Sequence, residues 1–389
     1  MKRGIRDFDF SNKTVILRCD LNVSIKNNKI IDDTRIKESL KTIEYILKKK
    51  GKLIILSHFG KVKKEEDKKT YSLKIVYERL NELLPNKIKF VPYTKDDLIK
   101  KELDNISYGH GILLENTRFE DLNGMLESNC DMSLASYWAS LGDIFINDAF
   151  GTIHRKHASN YGISKFLPSG IGFLIEKEMK ALDKLDNPKR PFAILMGGSK
   201  VKDKIEIIEE LLKKCDYLIL GGKICFTFLK ASRIDVNDSL VEFDMIEKCK
   251  SLLIEYADKI MLPIDFYGVL DNQNVKVLYH IMDMPKNFIG FDIGPKTVDL
   301  YKMQLEGVKT LFWNGPFGMY EDENYIFGTE EIMKYLKHIK RTIVGGGDIV
   351  SCVNKFNLKN IYYVSTGGGA TLCYLVNKNL PGLVNIEEK

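Results

Sequence analysis

The 389-residue chain has no apolar run near the roughly 18 residues that a membrane-spanning helix requires, which excludes that class. It has seven cysteines, an odd number, widely spread and never at CxxC spacing. That pattern excludes a disulfide framework and a zinc site, and leaves Cys19, Cys130, Cys215, Cys225, Cys249, Cys352 and Cys373 as small buried residues. No basic block interleaved with aromatics occurs. The net charge of +6 is scattered through amphipathic segments such as residues 48–50 and 61–69, so nucleic acid is not expected as a partner. A Gly-x-Gly-x-x-Gly turn followed some 20 residues later by an acid is missing, which argues against a nicotinamide-dependent oxidoreductase. No low-complexity linker interrupts the chain. The opening residues, MKRGIRDFDF, have no signal-peptide core, and the expectation is a cytoplasmic protein.

What is present is ordinary globular composition, 44% hydrophobic and 29% charged, over a length that exceeds a single core. Two domains are expected. From Thr14 a rhythm repeats: a short apolar run, a polar or glycine turn, then a segment of helical period, the mark of a parallel α/β sheet. Strands are predicted at residues 14–18, 52–57, 87–91, 111–114 and 144–147. Asp33 and Thr34 open a helix whose apolar stripe is Ile36, Leu40, Ile43 and Leu47, ended by Gly51; a second helix spans 132–141. Glycines and prolines from Gly151 to Gly172 loosen the pattern before a helix at 174–185, closed by Asn187-Pro188. A second α/β unit follows, with strands near 192–196, 217–220, 259–262, 310–313, 342–344 and 361–364.

Ligands of open parallel sheets bind beyond the carboxyl ends of the strands, and there the halves differ. Turns of the first half are polar and basic, carrying Asp20, Asn22, His58, Arg118, His154, Arg155 and His157, with Arg35 at the start of its helix. Those of the second half are glycine-rich: Gly197-Gly198, Gly221-Gly222, Gly315 to Gly318, Gly345 to Gly347, and Gly367 to Gly369. Guanidinium groups clamp anions at two points, while glycines let backbone amides approach phosphates closely. Two different anions are implied, one of them a nucleotide. The stretch PFAILMGGSKVKDK from Pro191 reads as a buried strand breaking into a turn of bare amides and a helix start, with Lys200 and Lys204 one helical turn apart. It is not a Walker A loop, because Lys200 follows Gly197-Gly198-Ser199 directly. Asp348, after three glycines, suits a magnesium ligand or a helix cap, and Glu321 suits ribose hydroxyls. Asp203 and Asp265 read as structural.

Eleven motifs resemble the phosphoglycerate kinase family, in the family's order and over nearly the whole chain. They are VILRCDLNVS from Val15, DDTRI from Asp32, LSHFGK from Leu56, LLENTRF from Leu113, FINDAFGTIHRKHAS from Phe145 and GFLIEKEM from Gly172. AILMGGSKVKDKI from Ala193, GFDIGPKT from Gly290, WNGPFGMYE from Trp313, TIVGGGD from Thr342 and VSTGGGA from Val364 complete the set.

The resemblance implies two doubly wound parallel-sheet α/β domains facing across a cleft and joined by a hinge helix. Expected bounds are 1–170 for the 3-phosphoglycerate domain, 171–187 for the hinge, 188–372 for the nucleotide domain and 373–389 for a tail returning to the first. The activity implied is reversible phosphoryl transfer between 1,3-bisphosphoglycerate and ADP by a monomer, with Mg²⁺ as cofactor and no membrane partner. A non-catalytic two-domain binder of phosphorylated ligands is the competing reading. Carried over by motif, Asp20, Leu21, Asn22, Arg35, His58, Phe59, Gly60, Lys61, Arg118 and Arg155 would meet the glycerate substrate. Ser199, Lys200, Lys204, Gly290, Asn314, Pro316, Gly318, Met319, Glu321, Gly346, Gly347, Asp348 and Ile349 would meet the nucleotide, Asp348 through the metal. Arg35, Lys200, Gly368 and Gly369 would surround the transferred phosphoryl group. Three positions depart from the family pattern: Lys61 where arginine is usual, Lys223 in place of a glycine, and Ile349 in place of a threonine.

Overall fold

The structure, a computed structural model, describes residues 2–270 and 275–389. The chain divides into two compact units, Met1–Lys180 with Asn377–Lys389, and Ala181–Val376. These are unit 1 and unit 2.

Unit 1 contains β1 (Thr14–Arg18), the hairpin β2 (Ser24–Lys26) and β3 (Lys29–Asp32), α1 (Thr34–Lys48), β4 (Lys52–Leu56), α2 (Asp67–Thr70), α3 (Lys74–Leu83), β5 (Ile88–Val91), α4 (Leu98–Asn105), β6 (Gly111–Leu114), α5 (Met132–Ala139), β7 (Ile144–Asn147) and β8 (Ser169–Ile171). Helix α6 (Phe173–Leu182) carries the division between the units and runs into a 3-10 turn at Asp183–Leu185. The six-stranded sheet is parallel, in the order β5-β6-β4-β1-β7-β8. Its central strands are apolar through their middles, with polar residues only at their ends, because both faces are covered. Val15 and Leu17 pack with Ile36, Ile43 and Ile46 of α1, while Ile16 packs with Trp138 of α5 and Ile99 of α4 on the other face.

Unit 2 contains β9 (Phe192–Met196), α7 (Ile205–Leu212), β10 (Tyr217–Leu220), α8 (Ile224–Ala231), α9 (Ile246–Glu255), β11 (Ile260–Met261), β12 (Asp265–Leu270), β13 (Val277–His280), β14 (Phe288–Ile293), α10 (Pro295–Leu305), β15 (Thr310–Asn314), α11 (Phe327–Tyr335), β16 (Arg341–Gly345), α12 (Gly347–Lys355), β17 (Tyr363–Ser365) and α13 (Gly369–Val376). Its parallel sheet runs β11-β10-β9-β15-β16-β17, and β13-β12-β14 form a separate antiparallel sheet. The expected α/β architecture is present in both units. Neither the antiparallel sheet nor the β2–β3 hairpin belongs to the sequence expectation.

Strand order fixes where ligands meet each sheet, because the crevice opens where the winding direction reverses. In unit 1 that is between β1 and β7, and in unit 2 between β9 and β15. The last helix, α14 (Pro381–Val384), belongs to unit 1. The Gly382 amide donates to the Ile153 carbonyl at 2.8 Å, and Asn147 Nδ2 donates to the Gly382 carbonyl at 3.0 Å. The opening residues lie alongside: the Arg3 amide donates to the Glu387 carbonyl and the Ile171 amide to the Arg3 carbonyl. Six of the seven cysteines are buried, Cys373 partly, and all are free. No described helix is long and apolar enough to cross a membrane.

Candidate active site

In unit 1 the β1, β4, β6 and β7 turns converge. Asp20 is buried just past β1, and its Oδ2 accepts from Arg35 Nη1 at 2.6 Å. Burial pushes the Asp20 carboxyl up, but the Arg35 and Arg18 guanidinium groups outweigh it and hold the group below the usual carboxylate range. A Cβ at Gly151 would meet Asp20 Oδ2 at 2.3 Å, so the loop after β7 closes tightly on this ion pair. Asn22 Oδ1 accepts from the Gly60 amide at 2.9 Å, and the Leu21 amide donates to Ser57 Oγ at 2.9 Å. Gly60 itself sits at φ +61 over the Tyr71 ring, where a Cβ would approach within 2.2 Å, so only glycine fits. Asn116 ties the β4 turn to the β6 turn: its Oδ1 accepts from the Phe59 amide and its Nδ2 donates to the Phe59 carbonyl. Lys61 is exposed at the end of this turn.

Arg118 Nη1 donates to Asp121 Oδ2 at 3.0 Å and to Ser128 Oγ, while its Nε is buried with no partner. Burial and then Arg118 lower the Arg155 guanidinium, whose Nε lies 3.3 Å from His154 Nε2. The histidines contribute no charge. Burial, with Arg18 next, drives His58 well below its ordinary value, burial lowers His154 to about 4, and burial with Arg118 lowers His157 to about 3. The positive charge of this site is therefore arginine charge, and the orphaned Arg118 Nε calls for an acceptor.

Behind the site stands a buried network that sequence reasoning missed. Arg18 is fully buried; its Nε donates to Ser159 Oγ at 2.8 Å and its Nη2 lies 3.3 Å from His58 Nδ1. Ser159 in turn donates through both its hydroxyl and its amide to the carboxylate of buried Glu127. A cation ending an otherwise apolar buried strand is a readable signal that a buried partner exists. Nothing local marks Glu127 or Ser159 as that partner.

In unit 2 the β9 turn departs from expectation. Helix α7 begins at Ile205, so Lys200 and Lys204 do not share a helical turn; Lys204 is the residue preceding the helix and Lys200 lies in the loop before it. The cause is Glu242, whose Oε1 accepts from the Val201 amide at 2.6 Å and Oε2 from the Lys202 amide at 3.1 Å, with Val201 buried. Nor are the turn amides all bare: Gly197 and Gly198 donate to the Asn314 and Pro316 carbonyls of the β15 turn. The amides of Ser199 and Lys200 have no partner among the described residues and are left for an anion.

Lys204 Nζ donates to the Gly197 carbonyl at 2.6 Å and to Asn314 Oδ1 at 2.9 Å. Burial pulls its ammonium down to about 8, against the opposing pull of Asp348 and Asp203. Gly346 (φ +124) lies against Asn314, whereas a Cβ at Gly347 or Gly368 would meet nothing within 4 Å, so both open onto free space. Asp348 is exposed in the first turn of α12, and the Tyr320 hydroxyl lies 3.4 Å from its Oδ1. Met319 and Glu321 follow β15, Glu321 exposed, and Ile349 is on the buried face of α12. Gly318 packs on Asp292 and the Tyr325 carbonyl. Gly290 lies within β14 against Phe226, in the antiparallel sheet rather than in a loop. Gly369 opens α13, and the amides of Gly368 and Gly369 have no partner among the described residues. Asp265 is structural: its carboxylate accepts from the Lys296 and Thr297 amides and caps α10.

Comparison with known proteins points to one family. The sequence pattern described as phosphoglycerate kinase matches residues 5–378. The phosphoglycerate kinases of Listeria innocua and Lacticaseibacillus casei are each 45% identical to the chain, over 100% and 99% of both sequences respectively. Among solved structures, phosphoglycerate kinase from Coxiella burnetii superposes with a TM-score of 0.84 at 34% identity, covering 99% of this chain and 98% of that one. The enzyme from Pyrococcus horikoshii gives 0.86 at 29% identity, with 98% of each chain covered.

Proposed function

The chain belongs to the phosphoglycerate kinase family, phosphotransferases with a carboxyl group as acceptor, and from that premise we propose how its residues carry the reaction. Unit 1 holds the glycerate substrate through Asp20, Asn22, Arg35, the turn from His58 to Lys61, Arg118 and Arg155. Unit 2 holds the nucleotide through Ser199, Lys200, Lys204, Gly290, Asn314, Pro316, Gly318, Met319, Glu321 and the turn from Gly346 to Ile349. The observation that carries this reading is the buried, unpartnered Nε of Arg118 in an arginine-rich site, set on one sheet while unpaired amides and two lysines occupy the other.

In the direction of ATP formation, an ADP β-phosphate oxygen attacks the acyl phosphorus of 1,3-bisphosphoglycerate. The bond from phosphorus to the carboxyl oxygen breaks, and 3-phosphoglycerate leaves as a carboxylate. No proton moves, so the neutral histidines are not required as bases. What the protein supplies is position and charge, with Arg35, Lys200 and the amides of Gly368 and Gly369 around the phosphoryl group in flight. Asp348 suits a hard cation, since it is exposed and nearly free, and no cluster of three or more possible ligands competes for one among the described residues. Mg²⁺ held there would neutralise phosphate oxygens of the nucleotide. Arg35 and Lys200 belong to different units, so the acting monomer completes its site by domain closure, which also limits hydrolysis.

A coupled assay of ATP formation from ADP and 1,3-bisphosphoglycerate tests the proposal. Arg35→Ala and Lys200→Ala should each lower kcat at least about tenfold with little change in nucleotide affinity. Near-normal turnover in both variants would defeat the assignment, and closure without ATP formation in the parent would favour a non-catalytic binder.

A further inference from the structure

Unit 2 has a second concentration of cations, at the opposite edge of its sheet from the nucleotide residues. A cavity of about 580 Å³ is lined by Lys189, Arg190, Lys309, Lys340, Arg341 and Tyr362. The sheet order explains how they come together. Strands β9, β15, β16 and β17 are consecutive neighbours and all parallel, so their amino ends share one edge, and one or two of these residues stand at or just before the start of each. Thr310 pairs with both Phe192 and Arg341, which places Lys309 between the starts of the flanking strands. Two strand spacings of about 4.8 Å spread the lining charges over roughly 10 Å, with Tyr362 one spacing further, and the five-residue length of β9 sets them roughly 16 Å from its glycine turn.

This charge is largely uncompensated. Arg190 is paired with Asp216 at 2.5 Å. Among the described residues, Lys189, Lys309, Lys340 and Arg341 have no carboxylate partner. Lys184 adds a sixth cation: its Nζ donates to the Tyr362 hydroxyl and lies 4.7 Å from the ring centroid, with the Arg341 guanidinium 5.8 Å from the same ring. Like charges gathered around a concavity repel one another and raise the local concentration of anions.

We propose that this cavity is a binding site for a small ligand bearing two or more phosphate groups, distinct from the catalytic site and independent of the mechanism proposed above. The volume is that of a small-molecule pocket. A monoanion would engage one or two of the cations, whereas a linear polyphosphate spans several strand starts. Lysine ammonium and the arginine fork both suit phosphate oxygens. Single-stranded nucleic acid fits less well, because it needs successive aromatic platforms and the cavity offers only Tyr362.

The full chain, saturated with ADP and 3-phosphoglycerate, is titrated calorimetrically with tripolyphosphate at low ionic strength. One further equivalent should bind, and Lys309→Glu with Lys340→Glu should weaken it at least about tenfold while leaving kcat and KM unchanged. If the double charge reversal lowers activity through misfolding, Lys309→Gln with Lys340→Gln reads the same loss with less perturbation. No binding to the saturated enzyme, or equal affinity in a folded variant, would overturn the site. Displacement of tripolyphosphate by a single-stranded oligonucleotide at lower concentration than by a nucleoside triphosphate would overturn the small-ligand assignment.

Discussion

On the proposed reading, the two units prepare for an anion by opposite means. Unit 1 uses long charged side chains and must hold like charges together, so it spends a buried network on them: Arg18, Ser159 and Glu127 behind, and Asn116 stitching two turns. Unit 2 uses backbone, and its problem is space rather than repulsion: Gly197 and Gly315 leave no room even for a methyl group, while Gly347 and Gly368 face nothing. In unit 1, then, stability and substrate affinity should be coupled through charge. In unit 2 they should separate, glycine by glycine.

The largest effect is expected from Glu127→Ala, which strips the carboxylate from the buried Arg18 network. Removing one partner of a buried ionic network costs about 3–5 kcal/mol, and chemical denaturation should show a loss of that order together with a raised KM for 3-phosphoglycerate. An unchanged KM would break the coupling claimed for unit 1. Next is a pair of glycines. A Cβ at Gly197 would stand 2.1 Å from the Pro316 carbonyl oxygen, so Gly197→Ala should cost about 1–3 kcal/mol through a backbone shift, whereas Gly347→Ala should leave stability within about 0.5 kcal/mol and weaken nucleotide binding. Thermal melts with and without ADP read both, and parallel losses in the two variants would erase the distinction.

A smaller effect attaches to Asp148, which is fully buried after β7 and holds the start of α6 by accepting from the Leu174 and Ile175 amides through Oδ1. Burial pushes its carboxyl up to about 6, against the pull of Thr42 and these amides. An acid raised in the fold favours folding fully below its unfolded value near 3.9, and that contribution is lost as pH rises through about 6. Asp148→Asn keeps the Oδ1 acceptor and removes the titration. Its stability relative to the parent should improve by roughly 1–2 kcal/mol between pH 5 and pH 7.5 in denaturation curves. A constant difference across that range would assign the rise to something other than this carboxyl. The gentlest prediction concerns Lys204, lowered to about 8 by burial. ADP should bind with proton uptake near pH 8 and lose affinity above it, detectable by calorimetry in buffers of different ionisation enthalpy; Lys204→Arg should flatten that dependence.

Much of this was legible from sequence where burial writes an unambiguous pattern. The predicted limits 111–114, 144–147 and 217–220 coincide with β6, β7 and β10, because strands covered on both faces are nearly continuous apolar runs. The antiparallel sheet was not legible: β12 mixes Asp265, Tyr267 and Gly268 with apolar residues, and β13 is half-exposed, so neither presents a continuous run. Among site residues, the turns were readable from their polarity and glycine content. Lys200 was misplaced onto a helix because the sequence does not reveal that Glu242, some 40 residues on, occupies the Val201 and Lys202 amides. Glu127 was hidden for the same reason, since partners that meet only in the folded chain leave no local periodicity.

The return of α14 to the β7 loop sets an order on biosynthesis. Asn147 and Gly382 are 235 residues apart, and all of unit 2 is translated between them. At ribosomal rates of roughly 5–20 residues per second, the loop that carries Arg155 waits roughly 10–50 s for its last strut. Unit 2, continuous in sequence, has no such wait. The nascent chain therefore spends that interval with unit 1 open at one side while unit 2 is still being made, and a chaperone would find its target there.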